Sequence, residues 1–303
     1  MLITIRQIEI FLMIVQEKSI AAASEKLYLS KPAVSMALNE LESRLKHLLF
    51  DRVKNRLILN YYGQQVLSRA DELYQRTLEI EQLFSLEDSN KNIDQSKLFG
   101  KISIGASNTI GNYLLPNIIQ QFRLNTGHTQ QKIIIDNSEN ICSKIADYKL
   151  DLGLVESEVK HDDLVFNFWQ RDQMCVIAAP KHSLIKKSVL NISDLNSMNW
   201  ILREPGSGSR SQFMQMLAPS LKNWHLSLEL TTTESIINCV QSGIGLAFVS
   251  KLAIETALLA KRVTILPLQM NDQFVRKLWI VNHKDKYHSP LMSAFINSLD
   301  QYI

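Results

Sequence analysis

The chain has 303 residues, of which 46% are hydrophobic and 21% charged, so it can form two or three domains whose cores need no disulfides. No stretch approaches the roughly 20 uninterrupted apolar residues of a membrane helix, and we predict no membrane partner. Residues 1–15 lack the unbroken apolar core and the cleavage site of a signal peptide, so we expect a cytoplasmic protein.

The net charge of +3 says little by itself, but the charges are unevenly distributed along the chain. Residues 1–60 hold nine Lys and Arg against six Asp and Glu, whereas residues 61–88 hold two against six. A basic block followed by an acidic, helix-like block is typical of a nucleic-acid-binding head on a stalk.

The basic block begins with three predicted helices. Apolar residues recur at the spacing of one helical face over residues 8–15, and Ser19 is a candidate cap for a second helix that contains three alanines. Ser30 and Pro32 suit the start of a third helix, whose inner apolar stripe is predicted over residues 34–48. Two short helices joined by a three-residue turn predict a helix-turn-helix.

A basic hairpin, or wing, is predicted after the third helix. Arg52, Lys54 and Arg56 are followed by the apolar run at residues 57–59, which is typical of a strand. Such cations would reach phosphates or a minor groove beside the third helix.

The acidic block is predicted to form one long helix over residues 61–88, capped by Asn60. Residues predicted to line one narrow face of this helix recur at alternating spacings of four and three, and we call them the seam. They are Val66, Ala70, Leu73, Thr77, Ile80 and Phe84. A narrow seam of this kind favours a dimerising helix over a core helix. Residues 89–96 are polar and aperiodic, which is typical of a hinge or linker, and the hinge is predicted over residues 89–100.

From residue 101 the pattern changes to alternating strands and helices. The βαβαβ pattern over residues 102–155 predicts a parallel sheet with right-handed crossovers. A second α/β set follows over residues 174–249. Segments near residues 166–169 and 266–268 are predicted to cross between the two halves, so we expect an α/β fold with a cleft between two Rossmann-like subdomains.

Small hydroxyl and amide residues separate a strand from a helix in both halves. Helix N-termini carry free N–H groups and a partial positive charge, so each start can hold an anion. In open α/β sheets these starts lie where ligands bind. We therefore predict a small anion or carboxylate in the cleft, with simple helix capping as the alternative for any single start. The helix starts concerned are residues 105–111, 137–138, 203–210 and 232–233.

Catalytic and metal-binding signatures are absent from the sequence. Residues 206–208 do not form a GxSxG elbow and there is no HExxH, so we expect neither an enzyme nor a cofactor. Cys142, Cys175 and Cys239 form no CxxC and have no His cluster beside them, so no zinc site is predicted. Buried thiols are the simpler interpretation, and a redox sensor acting through Cys142 or Cys239 is the alternative.

The head and the α/β half together resemble the LysR-type transcriptional regulators. The residues that carry the resemblance are Gln7–Leu12, Ser19–Leu27, Leu29–Ser35, Leu41–Glu42 and Leu49–Arg52 in the head, and Gly105–Ser107, Leu115–Pro116, Asp151–Val155 and Gly243–Gly245 in the α/β half. Their order and spacing match the family's pattern over nearly the whole chain.

The resemblance implies a winged helix-turn-helix, a dimerising linker helix and a two-subdomain effector domain similar to periplasmic solute-binding proteins. It also implies a homotetramer built as a dimer of dimers, a double-stranded DNA operator, a small effector and contact with RNA polymerase. The implied domains are residues 1–60 (DNA-binding), 61–88 (linker helix), 89–100 (hinge), 101–166 with 269–303 (subdomain I) and 167–268 (subdomain II).

Carried onto this sequence, the family's functional positions form two sets. The implied DNA contacts are Ser30, Lys31, Pro32, Ser35, Met36, Arg52, Lys54 and Arg56. The implied effector contacts are Ser107, Asn108, Thr109, Ser207, Ser209 and Thr232.

Two DNA-contact positions depart from the commonest pattern of the family. Lys31 stands where Gln is usual and can donate to guanine or to a phosphate, whereas Met36 stands where Arg is usual and can pack on a thymine methyl group. The Arg-Glu-Pro-Gly-Ser-Gly stretch at residues 203–208 resembles members that sense sulfur oxyanions or metabolites near carbon fixation and sulfur assimilation. A small-ligand-binding protein without DNA function is the alternative from another class.

Overall fold

The computed structural model describes residues 2–54, 56–85, 98, 100–269 and 273–300, so most of the predicted hinge lies outside the described residues. Its α-helices are α1 (Ile5–Glu17), α2 (Ile20–Lys26), α3 (Lys31–Leu45), α4 (Tyr61–Ser85), α5 (Leu115–Thr126), α6 (Ser138–Ala146), α7 (Gly208–Gln212), α8 (Thr233–Gln241), α9 (Glu255–Leu259) and α10 (Pro290–Leu299). Its strands are β1 (Phe50–Val53), β2 (Arg56–Leu59), β3 (Ile102–Ser107), β4 (Gln131–Asp136), β5 (Leu152–Val155), β6 (Leu164–Ala178), β7 (Asn199–Arg203), β8 (His225–Leu230), β9 (Ala247–Ser250), β10 (Thr264–Ile265) and β11 (Val275–His283).

The N-terminal head is a winged helix-turn-helix, as predicted. The side chains of Ser19 and Ser30 accept hydrogen bonds from the backbone at the starts of α2 and α3, so both predicted caps are present. Phe11, Val34 and Leu41 are fully buried and join the three helices in one core. Strands β1 and β2 pair in antiparallel fashion to form the wing.

The third helix is shorter than its sequence pattern indicates. It ends at Leu45, because Lys46 adopts a left-handed conformation with a φ of 59° and reverses the chain. Leu48 is 67% exposed, so its predicted place in the inner stripe is wrong. Leu49, which is fully buried, takes that place in the core.

The linker helix α4 leaves the head at Asn60, whose side chain accepts a hydrogen bond from the amide of Gly63 at 3.0 Å. Near its start, Val66 and Ala70 pack on the core of the head. Farther along the seam, Leu73 and Ile80 are 46% and 58% exposed, and the Phe84 side chain lies outside the described residues. The exposed seam is suited to a second copy of the helix, and its dimerisation stays a prediction.

The α/β domain, which is the predicted effector domain, is built on a mixed sheet. Strands β4, β3 and β5 are parallel, which confirms the predicted βαβαβ unit. Strand β11 continues the sheet in antiparallel fashion between β5 and β6. Helices α5 and α10 pack on one face of this sheet and α6 packs on the other.

Two long strands, β6 and β11, run from the first α/β subdomain into the second. The second subdomain contains the parallel pair β7 and β8, while β9 and β10 pair with the far end of β6. The return crossing lies in β11 and not at residues 266–268, because Leu266 and Leu268 pack in the core of the second subdomain. The α/β class with two subdomains is confirmed, and the exact domain boundaries stay predictions.

In the described ranges, no helix combines the length and apolar character that crossing a membrane would require.

Candidate nucleic-acid interface and ligand cleft

The start of α3 presents the side chains predicted to contact DNA. Lys31, Pro32 and Met36 are exposed, and Ser35 is half-buried. The Ser30 hydroxyl is exposed but accepts a hydrogen bond from the Ala33 amide at 3.3 Å. The N-terminal turn of a recognition helix is the part that contacts base edges, so this geometry fits readout in a major groove.

A basic cavity lies between the start of α2 and the wing. Its volume is about 530 Å³. The residues that line it are Ser19, Ile20, Ala21, Lys31, Arg52, Lys54, Arg56 and Leu57. It therefore gathers one cation of the recognition helix and all three predicted wing cations around one concave surface. A concentration of positive charge there favours a phosphate backbone.

Replacing Arg56 by alanine should weaken binding to all duplexes by a similar factor and reduce the slope of log Kobs against log salt by about 0.9. Arg56 is exposed on the wing and lines the basic cavity, so we expect the substitution to remove one phosphate contact. Fluorescence anisotropy on two unrelated duplexes at several salt concentrations measures both quantities. Arg56→Lys keeps the charge and should keep the slope, and an unchanged slope in Arg56→Ala would remove the wing from the interface.

The predicted ligand cleft is occupied by a carboxylate of the protein itself. Glu156 follows directly after β5 and is 2% exposed. Its Oε1 accepts hydrogen bonds from the Ser107 hydroxyl at 2.9 Å and from the Thr109 amide at 2.7 Å. Its Oε2 accepts from the Ser209 hydroxyl at 3.5 Å, across the cleft. Three of the six predicted effector contacts thus surround one internal anion.

Arg276, near the start of β11, supplies the counter-charge of Glu156. Arg276 is itself only 1% exposed. Its Nη1 donates to Glu156 at 2.6 Å, and its Nε donates to Asp172 of β6 at 2.7 Å. The hydroxyl of Ser250 also donates to Asp172, at 2.8 Å. The cluster therefore joins both subdomains and both crossing strands, with two carboxylates around one guanidinium.

The protonation of this cluster follows from its contacts. Burial alone would raise the pKa of Glu156, but Arg276 and the bonds from Thr109 and Ser107 outweigh it and hold that pKa below the ordinary value. Burial alone would lower the pKa of Arg276, but the attraction of Glu156 and Asp172 raises it. The carboxylate of Glu156 and the guanidinium of Arg276 are therefore both charged at neutral pH.

The other three predicted effector contacts lie apart from Glu156 or make other bonds. The Asn108 amide donates to the Asp136 carbonyl at 3.2 Å. Ser207 is buried at the start of α7, where its own amide donates to the Glu204 carbonyl at 3.2 Å. Thr232 is exposed and caps α8 by accepting from the Ser235 amide at 3.2 Å.

The stretch at residues 203–210 closes the mouth of the cleft. Arg203 donates to Glu204 twice, at 2.8 and 2.9 Å, and Arg210 donates to the Arg203 carbonyl at 2.9 Å. Across the cleft, Asn137 donates to Glu204 at 3.3 Å. These arginines are therefore paired within the protein, and the anion nest suggested by their sequence is not an open one.

Sequence reasoning missed the central residues of this cluster, Glu156, Asp172 and Arg276. A signal existed for Glu156, because an acidic residue directly follows the buried strand at residues 152–155 and so lies where ligands bind in such sheets. No comparable signal marks Asp172 and Arg276, which lie 104 residues apart in the chain.

Two of the three cysteine thiols, those of Cys142 and Cys175, are poorly suited to redox sensing. Burial raises the pKa of both Cys142 and Cys175 to about 12, with nearby Glu139 and Asp172 adding to the respective effects. Because the thiolate is the reactive form, both thiols are unreactive at neutral pH. Cys239 is half-buried. Among the described residues, no three His, Cys, Asp or Glu side chains are grouped so as to hold a metal ion.

Two family models match the chain. The model of bacterial regulatory helix-turn-helix proteins of the lysR family matches residues 5–64, and the LysR substrate binding domain matches residues 95–303. The HTH-type transcriptional regulator YeiE of Escherichia coli is 34% identical over 298 residues, covering 98% of this chain and 97% of the relative. A probable RuBisCO transcriptional regulator of Thalassiosira pseudonana is 30% identical, covering 98% and 96% respectively.

Solved structures share the fold over the whole chain or over its C-terminal two thirds. A full-length OxyR variant of Pseudomonas aeruginosa aligns with a TM-score of 0.66 and 19% identity, covering 99% of this chain and 95% of that one. The Synechocystis CcmR regulatory domain in complex with 2-PG aligns with a TM-score of 0.62 and 23% identity, covering 67% of this chain and 97% of that one.

Proposed function

We propose that this chain, which belongs to the LysR family of DNA-binding transcriptional regulators, senses a small anion that takes the place of the Glu156 carboxylate in its cleft. The observation that carries the proposal is the environment of that carboxylate. Donors from both subdomains, namely the Ser107 hydroxyl, the Thr109 amide and the Ser209 hydroxyl, converge on it together with Arg276. A site that stabilises one buried carboxylate has the chemistry to stabilise another small anion.

Replacement of the Glu156 carboxylate by an external anion needs no new hydrogen-bond donor. An oxyanion or short carboxylate would accept the bonds that Glu156 now accepts, and Glu156 would leave the cleft for water. The ligand must bind the arrangement with Glu156 displaced more tightly than the present one, because only differential affinity shifts an equilibrium between two states. Inorganic sulfur oxyanions and small carboxylates are the ligand classes that we propose.

The head supports the DNA-binding half of the proposal. Its exposed recognition helix and basic cavity provide base readout and phosphate contacts on one surface. Pairing of the exposed α4 seam between two chains would place two recognition helices on half-sites about one helical turn apart. We propose a homodimer or a homotetramer that acts on double-stranded DNA, with RNA polymerase as a further partner.

Replacing Glu156 by alanine should raise the affinity for the sensed anion by at least tenfold, because the internal competitor is removed while Arg276 and the donors remain. The measurement is a thermal-shift screen of wild type and variant against sulfite, sulfate, thiosulfate, phosphate and short carboxylates. An anion at 100 times its dissociation constant should add about 2.7 kcal/mol of stability.

Two controls make this screen specific. Glu158→Ala removes an exposed carboxylate two residues away and should leave the anion response of the wild type unchanged. Glu156→Ala combined with Ser107→Ala should lose the gain. A response to anions that is equal in wild type and Glu156→Ala would contradict the proposal, because it would show that Glu156 does not compete for the site.

A further inference from the structure

The winged head and the effector domain of one chain are in direct contact. The Gln16 side chain at the end of α1 donates to the Tyr148 carbonyl at 2.9 Å, and Lys18 pairs with Asp147 at 2.5 Å. The Tyr148 ring is buried within the core of the head. The segment after α6 is therefore part of both the effector domain and the packing of the head. We call this contact the junction.

Lys286 connects the junction to the linker helix. Its ammonium group lies 2.9 Å from Asp71 of α4 and 2.9 Å from Asp151, the residue before β5. It also lies 5.3 Å from the centre of the Tyr148 ring. Asp71 and Lys286 are both buried, so the linker helix is held to the effector domain by a charge contact shielded from water.

Lys286 compensates the cost of burying the Asp71 carboxylate only in part. The second carboxylate oxygen of Asp71 is buried without a hydrogen-bond partner in the described part of the chain. Burial raises the pKa of Asp71, and Lys286 offsets this effect only in part. A small displacement of Lys286 would leave the buried Asp71 carboxylate without its counter-charge, which is costly.

Two paired strands link this contact to the ligand cleft. Strand β5 lies between Asp151 at the junction and Glu156 in the cleft, a distance of roughly 17 Å for five residues of extended chain. Strand β11 pairs with β5, carries Arg276 in the cleft, and ends three residues before Lys286. The ion pair of Glu156 with Arg276 lies at the cleft end of β5 and β11. The ion pair of Asp151 with Lys286 lies at the opposite end of the same two strands, beside the junction.

We propose that Lys286 is a positioning residue that couples the cleft to the linker helix: when Glu156 leaves Arg276, β5 and β11 shift, and the contact of Lys286 with Asp71 changes the orientation of α4. The inference rests on the proposed role of Glu156. It adds that the signal reaches the DNA-binding head within a single chain, through α4 and the junction.

A double-mutant cycle of Glu156→Ala and Asp71→Asn tests this coupling. The readout is the dissociation constant for a duplex that the wild-type protein selects from a random-sequence pool. Sites more than 10 Å apart normally add to within about 0.3–0.5 kcal/mol, or about twofold. We expect Glu156→Ala to change the dissociation constant at least threefold more with Asp71 present than in Asp71→Asn.

The neighbouring ion pair of Lys284 and Asp163 supplies the matched control. It lies two residues from Lys286 but on the surface. Asp163→Asn should leave the effect of Glu156→Ala on DNA binding unchanged to within twofold. Equal effects of Glu156→Ala with Asp71 and in Asp71→Asn would overturn the coupling. If Glu156→Ala gains anion affinity without changing DNA binding at all, the coupling fails and the proposed ligand site stands.

Hydrogen exchange provides a readout that does not need the Asp71 variant to fold. In Glu156→Ala without DNA, the amides of α4 around Asp71 should exchange at least threefold faster than in wild type, because their contact with Lys286 is weakened. The amides of α9, in the second subdomain, should exchange at an unchanged rate. Unchanged exchange in α4 would overturn the inference.

Discussion

Replacing Arg276 by methionine should lower the free energy of unfolding by about 3–5 kcal/mol at pH 7, since breaking a buried ion pair leaves uncompensated charge behind. Arg276 is the counter-charge of two buried carboxylates, Glu156 and Asp172, at 2.6 Å each. Chemical denaturation of wild type and variant at the same protein concentration measures the loss. Lys277→Met removes the adjacent, exposed cation and should change stability little.

The loss of stability in Arg276→Met should become smaller as the pH falls. In wild type the pKa of Glu156 is lowered, so this group contributes stability that is present above its ordinary pKa of 4.5 and is lost as the pH falls through the folded value. Without Arg276, burial dominates and raises that pKa, so protonation stabilises the variant as the pH falls. Adding Glu156→Gln and Asp172→Asn should also restore stability at pH 7. A loss that is independent of pH would show that packing, and not charge, is the role of Arg276.

The N-terminal head and the first three strands of the effector domain could be predicted from sequence because their signals are local. Ser19 and Ser30 cap helices through hydrogen bonds to residues three positions away, and helical spacing identifies buried residues such as Phe11. The error at Leu48 is equally local: the inner-stripe spacing continues past the point where Lys46 turns the chain. Periodicity alone does not show where a helix stops.

The cleft could be predicted only in part, because its charges come from distant parts of the chain. Ser107 and Ser209 could be predicted as helix-start residues, because small residues after a strand indicate a helix start irrespective of how the rest of the chain folds. Arg276 bonds with Thr109, 167 residues away, and it lies within an ordinary strand. Which donors meet, and that a carboxylate of the protein lies among them, depends on how β5, β6 and β11 pair.

Gly208→Ala should separate the two walls of the cleft. A Cβ atom at this position would lie 2.5 Å from the Cβ of Glu156 and 3.2 Å from the Glu156 carbonyl carbon. Glu156 is buried and its Cβ cannot move aside, so α7 must move away from the end of β5. Overpacking of this kind typically costs about 1–3 kcal/mol, which should appear in the free energy of unfolding.

The same strain should weaken ligand binding, because Ser209 follows directly in α7 and an anion must be enclosed by both walls. If the free energy of the arrangement that encloses the anion is raised by about 1–3 kcal/mol, the affinity for the sensed anion should fall by about five- to 150-fold. Isothermal titration with the anion found in the screen measures this loss, and binding to non-specific DNA should stay within threefold because the head is untouched. Gln212→Ala, at the end of the same helix, should leave anion affinity within twofold. Wild-type anion affinity in Gly208→Ala would mean that α7 does not close on the ligand, and would place the anion against the wall formed by Ser107 and Thr109 alone.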